Sequence, residues 1–382
     1  MEFRFTLPRD IYVGHGAIKN LAHFKGCKRA FVTTGGHSMR RGGFLQKVEQ
    51  VLKDNGMEVK ILEGIQPDPS VESVYEGAAM MCEFNPDLIV SIGGGSPIDA
   101  TKAMWIFYEH PELKFEDVLE PFSIPALRTK ARFVAISSTS GTATEVTSFS
   151  VITDYSKGIK YPLADFNITP DMAILDLDIP QTMPPKLVAH TGMDALTHAI
   201  ESYICKGAWE LSDTLSLKSI QMISDNLRAS VNENSMEAKN NMGVAQYVAG
   251  MSFSNVGLGI VHSMAHPLGA FYDTPHGVAN AVLLPYVMEY NAPATGEKYR
   301  DIAQAMGVDT TGMSQEEYRK AAVDAVRALS KDVGIPEKLH EIGVKEEDLH
   351  ALSESAFADV CTGGNPRDTS VEEICEIYKK AF

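Results

Sequence analysis

The density of strand-forming runs changes abruptly along this chain, and that change constrains the fold more than any single motif. Up to about residue 178, apolar β-rich runs alternate with helical ones: RAFVTTG (29–35), a helical stretch from Gly43 to Asn55, MEVKILEG (57–64), a helical run from Val71 to Glu83, and DLIVSIGGGSPIDATKAMWIF (87–107), with further strands in RFVAISST (132–139) and AILDLD (173–178). Alternation of this kind argues for a parallel, doubly wound sheet. From Pro184 onward strand signals vanish. Helical periodicity then covers 186–204, 212–230, 237–253, 258–271, 277–290, 314–333, 346–358 and 370–380. Pro180, Pro184 and Pro185 punctuate the change. A chain of 382 residues exceeds one ordinary core. The expectation is an α/β domain over 1–183 and an all-helical domain over 184–382.

Composition narrows the class of partner. Hydrophobic residues make up 44% and charged residues 22%, as in soluble globular proteins. No apolar run reaches membrane-spanning length, and MEFRFTLPRD does not read as a signal peptide, so the expected location is the cytoplasm, away from the membrane. A formal charge of −16 disfavours nucleic acid. An anionic cofactor would therefore need local positive potential from backbone amides and helix N-termini. The five cysteines are scattered, with no C-x-x-C, which argues for reduced thiols.

One such amide site is legible at Gly93-Gly94-Gly95-Ser96, between the strand-like DLIVS and a helical run. Glycines let the backbone turn sharply and let a phosphate approach without a Cβ in the way. Ser96 suits an N-cap, Pro97 the first helical position, and Asp99 the acid of a capping box. The spacing is not G-x-G-x-x-G. A second candidate loop is Ser138 to Glu145, after RFVAI, where clustered hydroxyls surround Gly141. Loops at the ends of adjacent strands would flank one crevice of a doubly wound sheet.

The helical half carries a different chemistry. Asp194 and His198 are four apart on one helix face. His262 lies on a second helical run, and His276 follows Pro275 at the start of a third. Five of the 11 histidines (His190, His198, His262, His266, His276) fall between 190 and 276 among apolar residues. Buried polar groups need partners, so imidazoles converging near a carboxylate imply a shared ion or network. One carboxylate and three imidazoles suit Fe2+ or Zn2+ better than Mg2+ or Ca2+. Four protein ligands can leave room for a substrate oxygen.

Together, GGGSPID (93–99), STSGTATEVT (138–147), MPPKLVAHTGMDALTHAIE (183–201), AGMSFSNVGLGIVHSMAHPLGAFYDTPHGVAN (249–280) and CTGGNPR (361–367) resemble the iron-containing (group III) alcohol dehydrogenases over essentially the whole chain. The C-terminal motifs look most like the lactaldehyde reductase (propanediol oxidoreductase) branch. The N-terminal half, with IKYPLADFNITPD (159–171), looks more like butanol dehydrogenases and the alcohol dehydrogenase part of bifunctional aldehyde–alcohol dehydrogenases. The resemblance implies a dehydroquinate synthase-like architecture: an N-terminal dinucleotide domain, a C-terminal helical domain and one metal, usually Fe2+, between them. Its implied ligands are Asp194, His198, His262 and His276. Implied cofactor contacts are Gly93, Gly94, Gly95, Ser96, Asp99, Thr139, Thr142 and Lys160. Phe253 and Cys361 match substrate-pocket positions, and Phe149 stands where the propanediol branch carries Asn. A homodimer or larger oligomer is implied, with residues 3–8 as a strand across the two-fold.

The expected activity is interconversion of short-chain primary alcohols and aldehydes, by hydride transfer to or from the nicotinamide C4 while the metal polarises the substrate oxygen. His266, one turn beyond His262, is the candidate to relay the proton or bond the substrate, against a structural role. His190 is a candidate to orient a ligand or cap a helix. The first strand ends in Gly35-Gly36-His37-Ser38, with no acid for a ribose 2′-hydroxyl. Gly35, Gly36 and Ser38, with Arg40 or Arg41 supplying charge, favour NADP(H) over NAD(H). The alternatives are a lactaldehyde reductase/propanediol oxidoreductase, another polyol dehydrogenase or lyase of the superfamily, or a non-catalytic nucleotide-binding protein. The apolar pocket candidates disfavour polyol and anionic substrates, and a complete ligand set beside a cofactor loop disfavours the last.

Overall fold

A computed structural model describes residues 3–382, which form two compact units that meet in sequence at Met183–Pro184. The first unit contains β1 (Asp10–Gly14), β2 (Arg29–Thr34), α1 (Ser38–Arg41), α2 (Phe44–Asp54), β3 (Glu58–Leu62), α3 (Val71–Phe84), β4 (Leu88–Gly93), α4 (Gly95–Glu109), β5 (Arg132–Ser137), β6 (Phe149–Asp154), β7 (Ile159–Ala164) and β8 (Met172–Asp176). Six strands form one sheet in the order β1-β8-β5-β4-β2-β3, every pairing parallel. Alternate residues bury on opposite faces. Phe31, Ile89, Phe133 and Ala135 join a core with Val74, Met81 and Trp105 of α3 and α4. Ala30, Val32, Val90, Val134 and Ile136 join another with Leu45, Val48 and Leu52 of α2. Helices therefore cover both faces, and the strands read as nearly continuous apolar runs.

The order reverses direction between β2 and β4: β3 lies outside β2, whereas β5 and β8 lie outside β4. The turns after β2 and β4 thus open at a topological switch point, where doubly wound sheets bind ligands.

Four features escape the sequence patterns, the four-residue helix α1 among them. β1 is a five-residue edge strand, DIYVG, with no fully buried position to announce it. The β6–β7 hairpin is a separate antiparallel pair whose second strand carries Lys160 and Pro162, residues that weaken a strand signal. The eight-residue helix α10 (Lys298–Ala305) shows only Tyr299, Ile302 and Ala303 as its buried stripe. Residues 3–8 belong to no strand in the single chain.

The second unit is helical throughout: α5 (Pro185–Ile204), α6 (Glu210–Asn232), α7 (Met236–Val256), α8 (Ile260–Tyr272), α9 (His276–Asn291), α10, α11 (Gln315–Asp332), α12 (Leu349–Phe357) and α13 (Val371–Ala381), with short 3-10 turns between some of them. Helices α7 and α8 meet at 102° across residues 257–259. Gly257 there has φ +90°, a backbone that other residues rarely adopt. No single helix among the described residues is long and apolar enough to cross a membrane.

Candidate active site

Helix α5 places Asp194, His198 and Glu201 at i, i+4 and i+7, one buried stripe. Helix α8 adds His262 and His266, and the first turn of α9 adds His276. One potential ligand atom from each of Asp194, His198, His262 and His276 lies within 4.8 Å of the others. Asp194, His198 and His262 are 2%, 5% and 2% exposed, whereas the His276 side chain is 37% exposed. Three of the four are buried, and His276 alone is substantially exposed.

Two residues that the spacing did not single out hold this cluster together. Glu201 Oε1 accepts the Val261 N–H at 2.7 Å and Oε2 accepts His262 Nδ1–H at 2.5 Å. His262 Nε2 is thereby the nitrogen left for an ion. Burial pushes the Glu201 carboxyl up to about 8, against the N–H groups of Val261, Gly259 and His262. Those backbone donors and the His262 ring favour the ionised form that burial opposes. Burial, then repulsion from His198, His276 and His266, holds His262 well below the ordinary imidazole range, in the neutral form that a metal ligand requires.

Asn280, one turn beyond His276 and fully buried, is the second. Its Nδ2 donates to Asp194 Oδ1 at 2.7 Å and lies 3.2 Å from His262 Nε2 and 3.1 Å from His276 Nε2. Three acceptors converge on one amide that has two protons. A donor set of one oxygen and three nitrogens, crowded with lone pairs, fits a borderline divalent cation.

Gly277 lets α9 come this close. A Cβ there would stand 2.3 Å from the His190 carbonyl oxygen and 3.3 Å from Asp194 Cβ. His190 itself stays out of the ligand set and contributes its backbone to this contact. Gly277→Ala is expected to displace His276 and weaken metal binding by about 10- to 100-fold, the range for changes just behind metal ligands. Chelator competition measures it, and unaltered affinity would remove Gly277 from this account.

Around the cluster, the Phe253 ring stacks on His198 at 4.2 Å between centroids, tilted 12°. The His266 ring stacks on His276 at 5.5 Å. Cys361 follows Asp359, and burial pushes its thiol well above the ordinary range, which keeps it protonated and unreactive.

In the α/β unit, the two loops expected from the sequence come together. A Cβ on Gly94 would lie 3.2 Å from Thr139 Cγ2, and one on Gly95 3.1 Å from Thr142 Cγ2. Thr139 Oγ1 is buried without a hydrogen-bond partner. The glycine cradle, the orphaned hydroxyl and the free N–H groups of the α4 first turn fit a phosphate-bearing cofactor.

Three local expectations need correcting. Helix α4 begins at Gly95 with Gly94 as its N-cap, so Pro97 is its third residue rather than its first, and no side chain caps it. Ser96 Oγ instead accepts the Asp68 N–H at 3.3 Å. The Asp99 carboxylate forms no capping box: it accepts Thr144 Oγ1–H at 2.5 Å and Val151 N–H at 3.1 Å, tying α4 to the second loop. Beside it, the Lys102 ammonium is fully buried and donates to the carbonyls of Thr144, Thr147 and Phe149 at 2.6, 2.8 and 2.7 Å. Phe149 opens β6, where its carbonyl takes the last of these bonds. The Lys160 ammonium pairs with Asp68 Oδ1 at 2.7 Å, which brings it to the Ser96 side of the loop. Finally, Arg40 is not a free cation. It grips Glu63 through two guanidinium donors, Nε to Oε2 at 2.7 Å and Nη2 to Oε1. Arg41 is exposed, and Gly35, Gly36 and Ser38 line the turn after β2 with no acid at its end.

Comparison with known proteins agrees with this geometry. The family model for iron-containing alcohol dehydrogenase matches residues 8–177, and the C-terminal model of the Fe-containing alcohol dehydrogenase family matches 188–382. The chain is 52% identical to an NADPH-dependent butanol dehydrogenase of Clostridium saccharobutylicum, covering 99% of this chain and 98% of that one. It is 47% identical to the lactaldehyde reductase of Escherichia coli (strain K12), covering 100% of both. A crystal structure of a 1,3-propanediol oxidoreductase superposes with a TM-score of 0.95 at 37% identity over 100% of both chains. By sequence and fold alike, this chain belongs to the iron-containing alcohol dehydrogenase family.

Proposed function

We propose that this protein interconverts short-chain primary alcohols and aldehydes with NADP(H), using Fe2+ held by Asp194, His198, His262 and His276. The observation that carries the reading is the convergence of those four donors, with Glu201 fixing the tautomer of His262. Zn2+ suits the same donor set. When bound, the metal supplies Lewis-acid polarisation of the substrate oxygen, and the nicotinamide accepts or returns the hydride.

The chain's own side chains do the rest. The amides of Gly93 to Ser96, with Thr139 and Thr142, hold the cofactor's phosphates and amide, and Lys160 holds its ribose. Phe253, stacked on His198, offers an apolar wall to an alkyl chain. His266 accepts the alcohol proton at Nε2 during oxidation and returns it during reduction. The absence of an acid at Gly35 leaves room for a 2′-phosphate beside Ser38. The butanol dehydrogenase relative is named for NADPH, which supports this cofactor choice. The lactaldehyde reductase relative favours the second reading, a small hydroxyaldehyde substrate. The protein works in the cytoplasm as a homodimer or larger assembly.

The deciding experiment strips the metal, restores Fe2+, Zn2+ or Mn2+, and measures reduction of butanal, acetaldehyde and lactaldehyde with each cofactor. NADPH with butanal and Fe2+ is expected to give the highest kcat/KM. A higher value with NADH would overturn the cofactor choice, and one with lactaldehyde the substrate choice. Equal rates with and without metal would remove the ion from the chemistry.

A further inference from the structure

One buried carboxylate beside the cluster has no part in holding the ligand set. Asp359 Oδ2 lies 2.7 Å from His266 Nδ1, with both side chains about nine-tenths buried. Its other oxygen, Oδ1, accepts the Cys361 N–H at 2.8 Å and caps the short turn Val360–Gly364. The two oxygens therefore serve two separate partners. Ser263 Oγ stands 3.5 Å from Oδ1 and receives Thr362 Oγ1–H at 2.8 Å, so the carboxylate sits in a fixed polar frame. His266 Nε2 has no hydrogen-bond partner among the described residues.

We propose that Asp359 is the positioning residue for His266: by accepting Nδ1–H, it fixes the ring plane and tautomer and leaves the Nε2 lone pair free toward the substrate. The inference rests on the reading of His266 given above and adds the group that makes that reading work. A carboxylate can only accept here, so Nδ1 must carry the hydrogen and Nε2 must be the acceptor. Carboxylate–imidazole pairs act this way in other enzymes, orienting the base without taking its proton. Burial pushes the Asp359 carboxyl upward, but His266 and the Cys361 bonds outweigh it and hold it below the ordinary carboxylate range.

A purely structural Asp359 would act only as the cap of the Val360–Gly364 turn, and Asp359→Asn separates the two roles. The Cys361 N–H claims the amide oxygen, so the cap survives. The amide NH2 then faces His266, Nδ1 must accept, and the hydrogen moves to Nε2. The expected result is a fall in kcat of about a hundredfold or more, the range for general acid–base groups, with metal content and melting temperature unaltered. In the His266→Gln background the same change should cost nothing further. Nitrogen-15 NMR of the Zn2+-loaded protein should show one histidine, identified by its loss in His266→Gln, switching from Nδ1–H to Nε2–H.

Should Asp359→Asn lower the melting temperature, Asp359→Ser keeps a capping oxygen, withdraws the carboxylate from Nδ1 and should lower kcat by a like factor in the parent and not in the His266→Gln background, with the ring no longer held as Nδ1–H alone. An unswitched tautomer, a kcat within threefold of the parent, or an equal loss in the His266→Gln background would each overturn the proposal. A parent protein inactive toward every alcohol and aldehyde would count against the proposed function instead, and the tautomer measurement would still decide the role of Asp359.

Discussion

Alanine at His262 is expected to empty the site and abolish turnover while leaving the protein folded. His262 is 2% exposed, and its Nδ1 is already committed to Glu201, so Nε2 is its one ligating atom. Removing it leaves three donors and a void. Lewis-acid polarisation supplies several kcal/mol to reactions of this kind. A loss of about 4 kcal/mol corresponds to about a thousandfold in rate. Metal analysis of the purified variant should give well under one ion per chain, and kcat/KM should fall by at least that factor. Full activity in His262→Ala would break the ligand assignment, and with it the proposed chemistry.

Glu201→Ala is expected to have the second largest effect, and on two observables at once. It removes the acceptor from both Val261 N–H and His262 Nδ1–H in a fully enclosed setting. Leaving a buried neutral donor unsatisfied costs about 1–3 kcal/mol. Denaturant unfolding should register that loss, and metal affinity should fall by about 10- to 100-fold, as for other groups that orient a metal-bound imidazole. Glu201→Gln separates the two effects. It retains an acceptor for Val261 but turns an NH2 toward Nδ1, so affinity should fall more than stability. Wild-type affinity in the Gln variant would show that Glu201 only caps α8.

The four proposed ligands are legible as a group because their constraint is local. Asp194 and His198 share a helix face at four-residue spacing, and His276 sits beside a proline that starts a helix. Glu201 lies in the same stretch, yet spacing gives it no role, because its partner is 61 positions away and on another helix. Asn280 was hidden for a similar reason. A lone Asn in an apolar helix reads as an oddity until α9 is packed on α5. A buried acid at i+7 from Asp194 was the available signal, and it needed the tertiary pairing to acquire a role.

The glycine-rich and hydroxyl-rich loops show the converse case. GGGSPID folds as turn and helix as its pattern predicts, but Ser96 and Asp99 do not make the local cap that their spacing predicts. Helix α4 starts one residue before Ser96, and Asp99 turns toward Thr144 and Val151, 45 and 52 positions away. Local capping rules rank the bonds available within a turn. They carry no information about a better acceptor or donor that arrives from another strand. Arg40 belongs to the same class, since the acid that binds it comes from the end of β3.

What the sequence determined by itself is the division into a sheet-bearing half and a helical half, the two loops, and the four ligand types. Hydrophobic period and turn chemistry act over a few residues, so they survive in one dimension. The tertiary structure decided which polar groups meet: Glu201 with His262, Asn280 with Asp194, Asp359 with His266, Asp99 with the second loop. Those pairings depend on how closely helices approach, set at Gly277 by the room that a missing Cβ leaves. A buried polar group takes the partner that packing delivers, and packing is a property of the whole fold.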